Sequence, residues 1–139
     1  MASCLDASFM LNVLLPGPQS GDANSIWEET VGQGQELICP PLLFAEVTSM
    51  LRVFAFDGKI EHGEASETLR LFMEIPIRIV NSERLYLRAL DMASNLEVKR
   101  AYDVQYIAAA ELEGAVLVTA DMGQFSCAER LGVRARLVR

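Results

Sequence analysis

Ala115-Val116-Leu117-Val118-Thr119-Ala120-Asp121 is a short apolar run, rich in β-branched residues, that ends abruptly in an acid. A half-exposed strand alternates apolar and polar positions. An unbroken run is what a strand buried on both faces requires, and such strands belong to parallel sheets covered by helices on either side. The flanks agree. Tyr102–Glu113 reads as an Ala-rich helix stopped by Gly114, and Met122–Leu131 as a helix stopped by Gly132, before a last strand over Ala135–Val138. The beginning of the chain repeats the pattern, with Ala2–Leu5 a strand closed by Asp6 and Ser8–Leu15 a helix halted at Pro16-Gly17-Pro18. Between them lie a helix over Ser20–Gly34, a strand over Glu36–Cys39, and a helix from Pro40-Pro41 to Phe56, where proline is tolerated in the first turn. A helix over Glu61–Glu74, a strand over Ile77–Val80 and a helix opened by Ser82 complete the order. The last of these takes Leu85, Leu87, Ala89, Leu90 and Ala93 as its apolar face. Alternating helices and strands predict an α/β fold with a parallel sheet between helix layers.

With 139 residues, the chain is expected to form one domain over residues 1–139, a size that buries about 70 % of the unfolded surface. Its apolar content of 51 % is high, yet no stretch approaches the ~20 residues of a membrane span. Surplus apolar surface predicts self-association. No basic, cleavable leader opens the sequence, so the expected compartment is the cytoplasm. Cys4, Cys39 and Cys127 are scattered, without the spacing of a disulfide framework or a zinc site, and read as small core residues. The single histidine, His62, sits in a Glu-rich stretch and reads as a surface helix start. The net charge of −7 weighs against nucleic-acid binding, except that acids carrying a metal are neutralised in the working state.

Four acids stand where acids are costly. Asp6 and Asp121 close strands, Asp103 opens a helix on a stripe with Tyr106, Ile107 and Ala110, and Glu46 shares a stripe with Leu42, Leu43, Met50 and Val53. In open parallel sheets, ligands bind beyond the carboxyl ends of the strands, where strand order reverses. Each Asp also fits a plain N-cap, and Asp121 with Gln124 fits a capping box. Glu46 has no such role in mid-helix, and an inward carboxylate without a partner is expensive. Converging, the four would make an all-oxygen site that selects Mg²⁺ or Mn²⁺.

Leu5-Asp6-Ala7-Ser8, Leu42-Leu43-Phe44-Ala45-Glu46-Val47, Ala101-Tyr102-Asp103-Val104-Gln105-Tyr106 and Val118-Thr119-Ala120-Asp121, in this order, resemble the motifs of the PIN-domain ribonucleases, most closely the VapC-type toxins of prokaryotic toxin–antitoxin pairs. The resemblance spans nearly the whole chain. It implies a PIN-like three-layer sandwich with a central, mostly parallel sheet, and a Mg²⁺- or Mn²⁺-dependent endoribonuclease. In it Asp6, Glu46, Asp103 and Asp121 form the catalytic and metal-binding quartet, beside Ser8 and Thr119 as hydroxyl neighbours. It further implies a homodimer and a cognate antitoxin that blocks the cleft. Arg52, Lys59, Lys99 and Arg100 are the candidate RNA contacts, although scattered charge is more often a solvated face. Two departures stand out: the segment before Asp6 is short, and the chain is acidic for an enzyme that cuts RNA.

Three other readings compete. A signalling receiver domain needs a lysine at a late strand end, and neither Lys59 nor Lys99 follows a strand. A haloacid-dehalogenase-like phosphatase needs a second Asp where Ser8 stands. The third is a PIN-like scaffold that binds RNA or protein without cutting.

Overall fold

A computed structural model describes residues 1–139. Five strands form one sheet: β1 (Ala2–Leu5), β2 (Glu36–Cys39), β3 (Arg78–Ile79), β4 (Val116–Thr119) and β5 (Ala135–Leu137). Their order is β3-β2-β1-β4-β5, and every neighbouring pair is parallel. The seven helices are α1 (Ala7–Leu14), α2 (Ser20–Gly32), α3 (Leu42–Phe56), α4 (His62–Met73), α5 (Glu83–Leu96), α6 (Val104–Glu113) and α7 (Met122–Arg130). No helix is long and apolar enough to cross a membrane.

Strand order and handedness fix the layers. The chain moves outward from β1 through β2 to β3, then returns to β4 on the other side of β1 and continues outward to β5. Right-handed crossovers therefore put α1–α4 on one face and α5–α7 on the other. The packing agrees: α1 rests on α2 and α3, and α3 on α4, whereas α5 lies on α6, and α6 covers β1, β2 and β4 and touches α7. The order reverses between β1 and β4, so that is where the fold opens a ligand crevice.

The unbroken apolar strands are buried as expected. Cys4, Leu5, Ile38, Cys39, Leu117 and Val118 are among 33 hydrophobic residues of one contiguous core. Both residues of β3 are exposed, and this short edge strand is tied down by Arg78, whose guanidinium pairs with Glu36 on β2 and Glu113 on α6.

Two helix faces differ from the sequence expectation. On α5 the buried residues are Leu85, Ala89, Met92, Ala93 and Leu96, a true helical stripe, and Leu87 and Leu90 instead face solvent. On α3 the stripe is Leu43, Val47 and Leu51, with Val53 exposed, so Glu46 lies at the margin of the buried face. One residue of offset turns a helix by about 100°, enough to move a side chain from core to rim. Cys127 also departs from expectation, being only partly buried, unlike Cys4 and Cys39. His62 is the exposed first residue of α4.

Candidate active site

Asp6 follows β1 and caps α1. Its Oδ1 accepts from the Phe9 N–H at 2.9 Å and from the Ser8 hydroxyl at 2.7 Å. Asp121 follows β4 and caps α7, its Oδ1 accepting the Gln124 N–H at 2.9 Å. Capping and cavity-lining thus coexist, because an N-cap carboxylate spends part of its acceptor capacity on the helix and keeps the rest.

Ser8 and Thr119 join these two strand ends. Their hydroxyls lie 3.2 Å apart; Ser8 Oγ also accepts the Ala120 N–H at 2.9 Å, and Thr119 Oγ1 accepts the Asp121 N–H at 3.0 Å. Because the Ser8 proton goes to Asp6, the Thr119 proton is left for Ser8 or Asp6. Thr119 is fully buried. The two hydroxyls are a latch across the switch point.

The other two acids come from helices and are held more loosely. Glu46 Oε1 accepts a short hydrogen bond from the hydroxyl of buried Tyr106 on α6. Asp103 immediately precedes α6 but does not cap it, since its backbone is already helical and its side chain takes no cap hydrogen bond. Its carbonyl instead accepts from the Gln124 side chain at 3.0 Å. The capping box expected at Asp121 is therefore half made: Gln124 reaches across to α6 instead of back to the Asp121 N–H, which Thr119 holds.

All four carboxylates line one cavity of about 90 Å³, with Ala7, Ser8, Tyr106 and Gln124 as the remaining walls. Their surroundings are unequal. Asp6 is 3 % exposed, whereas Asp103 and Asp121 are exposed residues whose carboxyls line the cavity. Burial pushes Asp6 up to about 6, against hydrogen bonds from Thr119, Phe9 and Ser8, with the Asp121 charge adding to the rise. Partial burial raises Glu46, offset by the Tyr106 hydroxyl, and Asp103 adds to the rise. Asp103 is raised by desolvation of its cavity side and by Asp121. Desolvation and then Glu46 raise Tyr106, keeping it a neutral donor. An all-oxygen set under excess negative charge fits a hard divalent cation. As they stand, however, no three of the acids are grouped closely enough to hold an ion.

Two neighbouring hollows open onto the same place. One, of about 510 Å³, shares Ser8 and runs along α1 to Phe54, Lys59 and Ile60. The other, of about 260 Å³, shares Asp103, Asp121 and Gln124 and includes Arg100. Of the four basic candidates, Lys59 and Arg100 thus line hollows that adjoin the cavity, not the cavity itself. Arg52 and Lys99 are exposed and line neither hollow.

Sequence reasoning missed three residues here. Tyr106 was legible as a stripe-mate of Asp103, and a buried tyrosine must place its hydroxyl on an acceptor. Gln124 was read only as a cap partner. Gly123 left no signal: a Cβ there would lie 3.1 Å from Asp121 Oδ1, so the glycine keeps room for that carboxylate.

Residues 3–129 match the PIN domain family model, and the chain belongs to the PIN domain family. Solved structures agree on the fold. VapBC2 from Rickettsia felis, bound to a DNA fragment from its promoter, superposes with a TM-score of 0.74 at 14 % identity, covering 100 % of both chains. VapBC-1 from nontypeable Haemophilus influenzae gives 0.70 at 16 % identity, over 99 % of this chain and 98 % of that one. VapC20 from Mycobacterium tuberculosis, a Sarcin-Ricin loop cleaving toxin, gives 0.68 at 12 % identity, over 90 % and 94 %. No curated protein matches the sequence significantly.

Proposed function

We propose that residues 1–139 act as one catalytic domain, a Mg²⁺- or Mn²⁺-dependent endoribonuclease and the toxin of a toxin–antitoxin pair working in the cytoplasm. The observation that carries this reading is four carboxylates, from β1, β4, α3 and α6, lining one cavity at the reversal of strand order. Neither histidine nor cysteine lines it, so neither a Ser–His nor a Cys–His pair can form there.

Asp6, Glu46, Asp103 and Asp121 would hold the ion, which when bound supplies an activated water and neutralises charge on the phosphodiester. Tyr106 orients the Glu46 carboxylate. The Ser8–Thr119 latch ties the Asp6 carboxylate to the Ala120-Asp121 backbone. Gln124 ties α7 to the Asp103 backbone at the start of α6, while the Asp103 carboxylate takes no cap hydrogen bond.

An antitoxin segment fits the hollow lined by Leu11, Leu15, Phe54 and Ile60, which reaches the cavity at Ser8. Exposed Tyr86, Leu87 and Leu90 on α5 supply apolar surface for a homodimer. The neighbours just described, two of them VapBC assemblies and one a Sarcin-Ricin loop cleaving toxin, support a partner and an RNA substrate.

A second reading, a PIN scaffold that binds RNA or protein without cutting, draws on the lack of any compact three-acid group. Incubating the protein with single-stranded and structured RNAs in Mg²⁺, in Mn²⁺ and in chelator separates the two. Metal-dependent cleavage that disappears in a folded Glu46→Gln variant supports the nuclease; no cleavage under any metal supports the scaffold.

A further inference from the structure

The hollow on the α7 side of the carboxylates differs in character from the cavity it adjoins. Asp103, Asp121 and Gln124 form its near wall, and Leu96, Val98 and Val104 make the far side apolar. Arg100 stands at this hollow, exposed and in no ion pair, and of the unpaired arginines it is the one that lines it. A guanidinium beside two carboxylates that engages neither remains available to an anion, and its planar fork suits phosphate oxygens. The apolar wall suits the face of a planar ring. At about 260 Å³ the hollow lies just below the ~300–1,000 Å³ of ordinary ligand pockets. An α-helix, about 10–12 Å across with its side chains, does not enter a space of that size.

We propose that this hollow receives the nucleobase adjoining the scissile phosphate of a single-stranded RNA, with Arg100 on the neighbouring phosphate, and so sets the base preference of the enzyme. The inference rests on the nuclease reading for its position relative to the cut. Single-stranded RNA is specified because a base must leave its stack to enter, and unstacked bases are the usual targets of sequence-specific RNA recognition. One nucleotide is the natural occupant, since the hollow continues directly into the carboxylate cavity through shared residues.

Cys127, on the α7 side of the hollow, is the one cysteine that is not buried. It allows the hollow to be filled after folding. Cys4 and Cys39 are shielded, so N-ethylmaleimide should modify Cys127 selectively. Three measurements follow. A twelve-nucleotide single-stranded RNA of random sequence, in chelator so that it is not cut, should slow modification of Cys127 about tenfold at saturation, whereas duplex DNA of equal length should not. The maleimide adduct should raise KM for RNA about tenfold, the size of one lost stacking contact, and flatten base preference at one position beside the cut when product ends are sequenced. Cys127→Ala treated with the same reagent should behave as it does untreated. Arg100→Gln should raise KM with little change in kcat.

RNA that leaves the modification rate unchanged, or product ends identical before and after modification, would overturn the proposal. If RNA protects Cys127 but no metal supports cleavage, the nuclease reading fails while the hollow stands as an RNA-binding site. If RNA is cut normally by the modified protein, the reverse holds.

Discussion

Asp6 and Asp121, at the strand ends, are built into the frame; Glu46 and Asp103, carried by helices, are not. Each strand-end carboxylate caps a helix, and the Ser8–Thr119 latch holds the Asp6 carboxylate on one side and the Asp121 N–H on the other. Glu46 has one hydrogen-bond partner, Tyr106, and Asp103 offers a carboxylate without a cap hydrogen bond. Half of the acid set is therefore preorganised and half is adjustable. A cation that must draw the acids together, since no three are compactly grouped, would move the second half toward the first.

The largest effect that can break this comparison is electrostatic. Asp6 rises from 3.8 to about 6 in the folded protein, so the native state binds a proton more tightly than the unfolded chain does. The contribution of Asp6 to metal-free stability should then be greatest below about pH 4, fall as pH rises toward 6, and stay lost above it. Asp6→Asn removes that loss, keeps an Oδ1 acceptor for Phe9 and Ser8, and should gain on the order of 2–3 kcal/mol at pH 8 in chelator. Asp103→Asn should gain less, because solvent reaches Asp103. Thermal melts of both variants across pH 4–8 decide it; an Asp103→Asn gain as large as that of Asp6→Asn would erase the distinction. Added Mg²⁺ should raise the wild-type melting point more than that of either variant.

Thr119→Val tests the latch. It strips the Asp121 N–H of its acceptor in a fully buried position, and should cost about 1–3 kcal/mol of stability by urea titration. Tyr106→Phe tests the looser half. It frees Glu46 and should cost about 1 kcal/mol, while changing the Mg²⁺ concentration needed for cleavage more than it changes the fold. A Tyr106→Phe loss exceeding that of Thr119→Val would reverse the ranking. The smallest expected effect lies outside both halves: Glu97 closes α5 with φ of 56°, and Glu97→Gly should stabilise by about 0.5–1 kcal/mol without altering cleavage.

The preorganised half was the legible half. Buried parallel strands announce themselves as unbroken apolar runs, and an acid directly after such a run is placed by the fold itself, so Asp6 and Asp121 could be positioned from sequence alone. The adjustable half depends on helix rotation. The stripe drawn through Glu46 and Val53 was offset from the buried Leu43–Val47–Leu51 face, and the α5 face wrongly included Leu87 and Leu90. Apolar residues exposed for a partner look the same in a sequence as apolar residues buried in a core. The Tyr106–Glu46 contact joins residues 60 apart in sequence, a pairing made only once α3 and α6 lie on their opposite faces of the sheet.

The latch has a consequence for how the protein is made. Ser8 and Thr119 lie 111 residues apart in sequence, and β1 leaves the ribosome well before β4, the strand it pairs with. Such long-range pairing is slow to form. A nascent chain halted before β4 would already hold Asp6, Glu46 and Asp103, yet it would lack the strand that sets them around one cavity. Synthesis itself would then act as a safety: the messenger, the ribosome and every other RNA beside the growing polypeptide stay out of danger until β4 has emerged and paired.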